Sequence, residues 1–371
     1  MLKITQTFQK KYDIYLIFCV AVLAIIGYLT LLSLTATRPY RFFIKQFLFI
    51  LPGIITMLAL LSVNYRKIQK YRSFSIVFVL FSFLSLIAVL IFGQENLGAK
   101  RWINLGFFSF QPSEFAKIAI VVYLADFIAR KKENIDDLSS LVAPALIFSL
   151  IATPIFFESD KGTVFLIAAV CLAMLFCAGA RISYLLLGAM SLLTVLSTII
   201  MMSGYSRSRV VNYFKSIFDI NEILINKDGN YYQVKQSISA LGSGGITGKG
   251  LGSGELKLGY LTQSENDFIF SVVGEEIGLF GTCAVAAIFL YIFLRCLKMS
   301  ESMPDDFLRY LCLGLSFTIV FQAFINMSVA TALIPTKGIT LPFISYGGSS
   351  LFANMIMAAV LINLSQYGKT K

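Results

Sequence analysis

The chain has 371 residues, 57% hydrophobic and 14% charged, whereas a soluble protein carries roughly a quarter charged residues. The net charge is +11, but the basic residues sit in short clusters between apolar runs, as membrane topology requires. That pattern argues against a nucleic-acid partner. There is no histidine, which excludes Ser-His and Cys-His catalysis and His-ligated metals; catalytic proton transfer falls to Asp, Glu, Lys or Tyr.

These features predict an all-α polytopic membrane protein, with about ten spans of the roughly 20 residues a bilayer needs. In chain order they are expected near 14–36, 42–63, 74–93, 114–129, 138–157, 162–180, 182–203, 267–294, 307–334 and 344–364, in one membrane domain covering 1–371. The first is too long for a signal peptide and is expected to be retained. Lys10, Lys11, Arg66, Lys67, Lys70, Arg130, Lys131, Lys132, Arg295, Lys298, Lys369 and Lys371 fall on one side of this arrangement. Their excess places that side, and both termini, in the cytoplasm. The six cysteines form no CxxC pair, so neither a disulfide framework nor a zinc site is expected.

The stretch 204–266 is the one sizeable extramembrane loop in this reading. It contains "ALGSGGITGKGLGSGELKLGYL", too glycine-rich for regular helix and expected to be a flexible turn region. A phosphate-binding P-loop does not match. Ser243 stands where the first Gly should be, and Gly250 follows Lys249 where Ser or Thr should be.

With this orientation, polar groups gather at the outer ends of the spans: "AKRWINLGFFSFQPSEFAK" (99–117), "FESDKGT" (157–163), Asp267, and "IPTKGITLPFISYGGSS" (334–350). Ionisable groups at membrane depth mark candidate functional sites. Pro112 suits a helix start. Glu114 and Lys117, three apart, share a helix face; they form either a structural ion pair or the polar wall of an outward cavity. Asp160 and Lys161 lie in a short turn, where a solvated Asp is ordinary. Lys337, between Pro335 and Gly338, is either a fixed phosphate partner or a side chain snorkelling to headgroups. Asp267 is either an N-cap or a base whose pKa is raised by desolvation and lowered by helix N–H groups and cations. On a continuous helix Glu275 and Glu276 lie about 80° and 180° around from it and ~12 Å deeper. They are read as protonated or paired, and structural.

These segments resemble the SEDS family of cell-wall proteins, which includes FtsW and RodA, from about residue 10 to 366. The most specific stretches are "NMSVATALIPTKGITLPFISYGGSS" (326–350), "GAKRWINLGFFSFQPSEFAK" (98–117) and "DFIFSVVGEEIG" (267–278). The tetrapeptide PTKG (335–338), the SYGGSS ending, "RSRVVNYF" (207–214) and Lys257 look more like FtsW, the division-associated branch.

The resemblance implies about ten transmembrane helices with a large loop between the seventh and eighth. It implies a peptidoglycan glycosyltransferase that polymerises lipid II, a disaccharide-pentapeptide on undecaprenyl pyrophosphate, at the outer face of the cytoplasmic membrane. Asp267 matches the family's essential aspartate and would act as general base. Arg101, Lys117, Arg209, Lys257 and Lys337 are outward cations suited to the departing pyrophosphate, and Glu114, Asp160, Ser345 and Ser349 complete the expected substrate contacts. By resemblance a divalent cation, Mg²⁺ or Mn²⁺, fits this chemistry, although no spacing marks a metal site. A class B penicillin-binding protein is the implied partner. Two departures stand out: Ser159-Asp160-Lys161-Gly162-Thr163 replaces the usual Pro-Asp-Leu-Gly-Thr, and residues 261–266 lack the usual Leu-Pro and His-Thr pairs. The rival readings are a lipid II flippase, which needs polar groups through the membrane depth, and a scaffold, which would tolerate loss of Asp267.

Overall fold

The computed structural model describes residues 12–34, 41–65, 72–96, 99–104, 106, 109–202, 207, 211, 229–254 and 265–368. The described helices fall where hydropathy places the spans, except that one, Gly229–Ser243, lies inside the segment 204–266 read as a loop. They are α1 (Ile14–Leu34), α2 (Arg41–Leu61), α3 (Arg72–Phe92), α4 (Pro112–Lys131), α5 (Leu138–Phe157), α6 (Lys161–Cys177) and α7 (Ile182–Met202), then α8 (Gly229–Ser243), α9 (Ile269–Glu301), α10 (Asp306–Ala330) and α11 (Gly348–Leu364). Among the described residues α1, α3, α5, α9 and α10 are long and apolar enough to cross a bilayer by themselves, and α2, α6, α7 and α11 carry shorter apolar stretches. The chain is a multi-pass membrane protein. α4 stands apart because it buries Glu114, Lys117 and Asp126 within its length.

α10 is the central post. Residues 310–320 are buried without exception, and the helix packs against α4, α6, α9 and α11. Its apolar character all round is what a fully enclosed helix requires. α7 lies at the periphery, against α6, with most of its residues exposed. In lipid that apolar exposure is the favourable arrangement. Between α3 and α4 the chain makes a small antiparallel sheet, β1 (Gln94–Asn96), β2 (Ala99–Asn104) and β3 (Ser109–Phe110), in that order. Glu95 faces Lys100 and Ile103 faces Phe110.

Two expectations are corrected. The glycine-rich stretch is not a flexible turn region where it is described: residues 244–250 are docked on α9, backbone to backbone. Lys249 N and Gly250 N donate to Glu275 O and Glu276 O, both at 3.0 Å, and Leu279 N donates to Gly245 O at 2.9 Å. Nor is the eighth span one continuous helix. α9 breaks at Gly278, at φ 75° and ψ −164°. The two corrections have one cause. A break frees backbone groups that lipid cannot satisfy, and the loop supplies their partners. Only glycine fits here: besides the positive φ, a Cβ on Gly278 would lie 2.3 Å from Gly248 N. The ninth and tenth spans are also shorter than hydropathy suggests, because the linker between Ala330 and Gly348, with Pro335 and Pro342, turns instead of extending either helix.

Candidate active site

Asp267 sits in a turn over residues 265–268, before the first turn of α9. The N-cap position belongs to Phe268, so the carboxylate is not the cap that its place in the sequence suggested. Three successive backbone carbonyls of this turn are fastened to other elements. Tyr346 N donates to Glu265 O at 2.9 Å, Ser345 Oγ to Asn266 O at 2.6 Å and Asn326 Nδ2 to Asp267 O at 2.9 Å. The backbone that carries the acid is thereby set by α10 and the linker ahead of α11.

Arg101 reaches the same place from β2. Its Nε donates to Glu158 O at 3.3 Å and its Nη2 to Ser159 O at 2.6 Å. The third nitrogen, Nη1, lies 3.6 Å from where a Cβ on Gly338 would stand, and Asp267 Oδ2 lies 3.4 Å from that same point. A carboxylate and a guanidinium from distant parts of the chain therefore look onto one glycine. Lys337 is next to it, with its Cβ 3.7 Å from the Cβ position of Gly162 at the head of α6.

The turn that receives Arg101 is built from local rules. Ser159 takes φ 61°, while Ser159 N and Asp160 N donate to Phe156 O and Ile155 O. This is the Schellman ending of a helix, with Ser where Gly is usual. Asp160 then caps α6 at once, accepting from Thr163 N at 3.2 Å and from Thr163 Oγ1 at 2.9 Å. Asp160 is 3% exposed, so it is a buried cap and not a solvated turn residue. Glu158, between these two features, is fully buried. Its carboxyl is pushed up to about 9, first by burial and then by the charge of Asp160, with Arg101 opposing.

Glu114 and Lys117 form the ion pair that their spacing predicted, at 2.8 Å. Both are buried, and Lys117 Nζ also donates to Gln322 Oε1 at 2.6 Å. Gln322 Nε2 in turn donates to Thr340 O at 3.0 Å, and Asn326 Nδ2 donates to Ile339 O at 2.7 Å. Two carboxamides one turn apart on α10 thus hold the segment beside Gly338. Ser345 Oγ, besides its bond to Asn266 O, accepts from Leu341 N at 2.7 Å. Ser349 Oγ donates to Ser109 O at 2.8 Å and accepts from Gln111 N at 3.1 Å. In this structure both hydroxyls are engaged with the protein's own backbone. Arg209 and Lys257 lie outside the described residues.

Sequence reasoning passed over Glu158, Gln322 and Asn326. The last two left a signal: polar residues at i and i+4 within an apolar span place two amides on one face. Glu158 left none, because a Glu flanking a turn reads as solvated. Among the described residues no three of His, Cys, Asp and Glu gather as a metal site. These residues do not by themselves make a protein cage for a divalent ion, which wants several oxygen ligands.

A profile of the cell cycle proteins FtsW, RodA and SpoVE matches residues 12–370. The chain belongs to this SEDS family. A probable peptidoglycan glycosyltransferase FtsW of Geobacter metallireducens is 35% identical, over 96% of this chain and 95% of that protein. Stage V sporulation protein E of Bacillus subtilis is 33% identical, over 96% and 98%. The family fold is evident in solved structures. A chain from a peptidoglycan synthase complex described as coordinating polymerisation and crosslinking superposes with TM-score 0.80 at 24% identity, over 97% of this chain and 99% of that one. RodA of Thermus thermophilus superposes with TM-score 0.71 at 23% identity, over 98% and 99%. In this SEDS protein the three stretches that carried the resemblance are the three that meet around Gly338.

Proposed function

We propose that this protein is a peptidoglycan glycosyltransferase that joins lipid II units into glycan strands at the outer face of the bacterial cytoplasmic membrane. The observation that carries the reading is the placement of Asp267 Oδ2 and Arg101 Nη1 around Gly338. A sugar hydroxyl of the acceptor must lose a proton as it attacks the anomeric carbon of the donor, and Asp267 takes it. The pyrophosphate leaves with negative charge, and Arg101 with Lys337 supports it. One in-line displacement inverts the anomeric centre. A divalent cation, if bound here, would have the Asp267 carboxylate as its protein ligand and would supply positive charge toward the departing pyrophosphate.

The proposal extends to topology and setting. Both termini face the cytoplasm, about ten spans are present, and the segment 204–266 emerges between the seventh and eighth. The branch resemblance supports division-septum synthesis, with RodA-like elongation as the alternative. The partner is a class B penicillin-binding protein.

The flippase reading loses support from the deeper carboxylates, which are engaged in bracing contacts. Glu275 pairs with Lys249 at 3.0 Å, Glu276 accepts from Ser33 Oγ and from Gly252 N, and Asp126 holds Arg130 and Ser75.

The test is polymerisation of lipid II by the purified protein with its cognate transpeptidase. Long strands are expected from wild type and at least ~10²-fold less from Asp267→Asn, with an unchanged melting temperature. Equal activity in the two would remove Asp267 from the chemistry.

A further inference from the structure

Glu158 has no part in the mechanism above, yet its surroundings are unusual. It is 0% exposed, and neither carboxyl oxygen has a hydrogen-bond partner among the described residues. The acid two residues on, Asp160, has both oxygens bonded to Thr163. An ionised carboxylate without donors is very costly to bury, and such a group keeps its proton instead. The charges that act on Glu158 are Asp160, from the head of α6, and Arg101, from β2. They oppose one another, which leaves burial in control.

Arg101 shows what a neutral acid achieves here. Two of its nitrogens bond to the backbone carbonyls of residues 158 and 159, not to a carboxylate. Those carbonyls orient the guanidinium without cancelling its charge. The remaining nitrogen faces Gly338, beside Asp267. A carboxylate at 158 would be a competing anion next to a cation required elsewhere.

We propose that Glu158 is a positioning residue acting through Arg101: as a buried neutral acid it leaves the charge of the guanidinium uncancelled, and its ionisation withdraws that charge from the substrate. The substrate part rests on the reading of Arg101 as the pyrophosphate's partner. The group's pKa is pushed up to about 9, so the proton is held at neutral pH and lost as pH rises through that value. The site is therefore competent below it and fails above it.

Two measurements on the full-length protein test this. Infrared difference spectra of wild type against Glu158→Gln should show one protonated-carboxyl band at neutral pH that the variant lacks and that vanishes near pH 9. The apparent KM for lipid II should rise about tenfold per pH unit above that point in wild type and stay flat in Glu158→Gln, with kcat at neutral pH little changed. Should Glu158→Gln not fold, Glu158→Asp serves, since a shifted acid band and a shifted KM profile are then expected. No band difference, or an equal alkaline loss in Glu158→Gln, overturns the proposal. Absence of polymer from wild type at every pH would strike at the glycosyltransferase reading instead, and the infrared arm would still decide the neutral acid.

Discussion

Asp267 and the pair Glu275–Glu276 stand within ten residues of one another, at the entry to the same helix, and the fold treats them in opposite ways. Around Asp267 the backbone is held by side chains from elsewhere, Ser345 and Asn326, and the carboxylate keeps partial exposure beside Gly338. Around Glu275 and Glu276 the backbone is held by another backbone, the docked loop, and both side chains are 2% exposed. Identical chemistry thus becomes a site in one place and a brace in the other. The difference is not depth alone. A helix break exposes main-chain groups that need partners, and whatever satisfies them also seals the side chains beside them.

The comparison can be broken most severely at the brace. Gly278→Val would force a β-branched residue into a positive φ against Gly248 N. It should undock the loop and cost more than ~3 kcal/mol, read as a large fall in melting temperature in detergent and new proteolysis within 244–254. A milder cut separates brace from chemistry. Glu275→Gln leaves Lys249 without its carboxylate and should cost about 1–3 kcal/mol, discounted because the lysine is part-exposed. Polymerisation per folded molecule should survive; a loss as deep as that of Asp267→Asn would show the two regions to be one. The smallest effect belongs to the site itself. In Gly338→Ala the new Cβ would meet Asp267 Oδ2 and Arg101 Nη1 only at ordinary contact distance. The fold should be unchanged and kcat/KM should fall about tenfold, from misplacement of the reacting groups.

Length and hydropathy were enough for the class of the molecule and the approximate place of its apolar helices, because a bilayer imposes element length and polarity directly on the chain. The Glu114–Lys117 pair was legible too, since i and i+3 residues share a helix face. Asp267 could be named from the sequence as the residue to watch, but not as something other than a cap. That depended on where α9 begins, and Asn326, 59 residues along the chain from Asp267, and Ser345, 79 residues from Asn266, take part in setting it. The rest was decided by contacts between distant segments. Glycine density alone does not distinguish a mobile turn from a backbone that must pass within touching distance of another, and here the kink at Gly278 made it the second. Glu158 reads as a surface acid in one dimension. Its proton, and the direction of Arg101, come only from packing that removes water from one carboxyl while β2 brings a cation to its backbone.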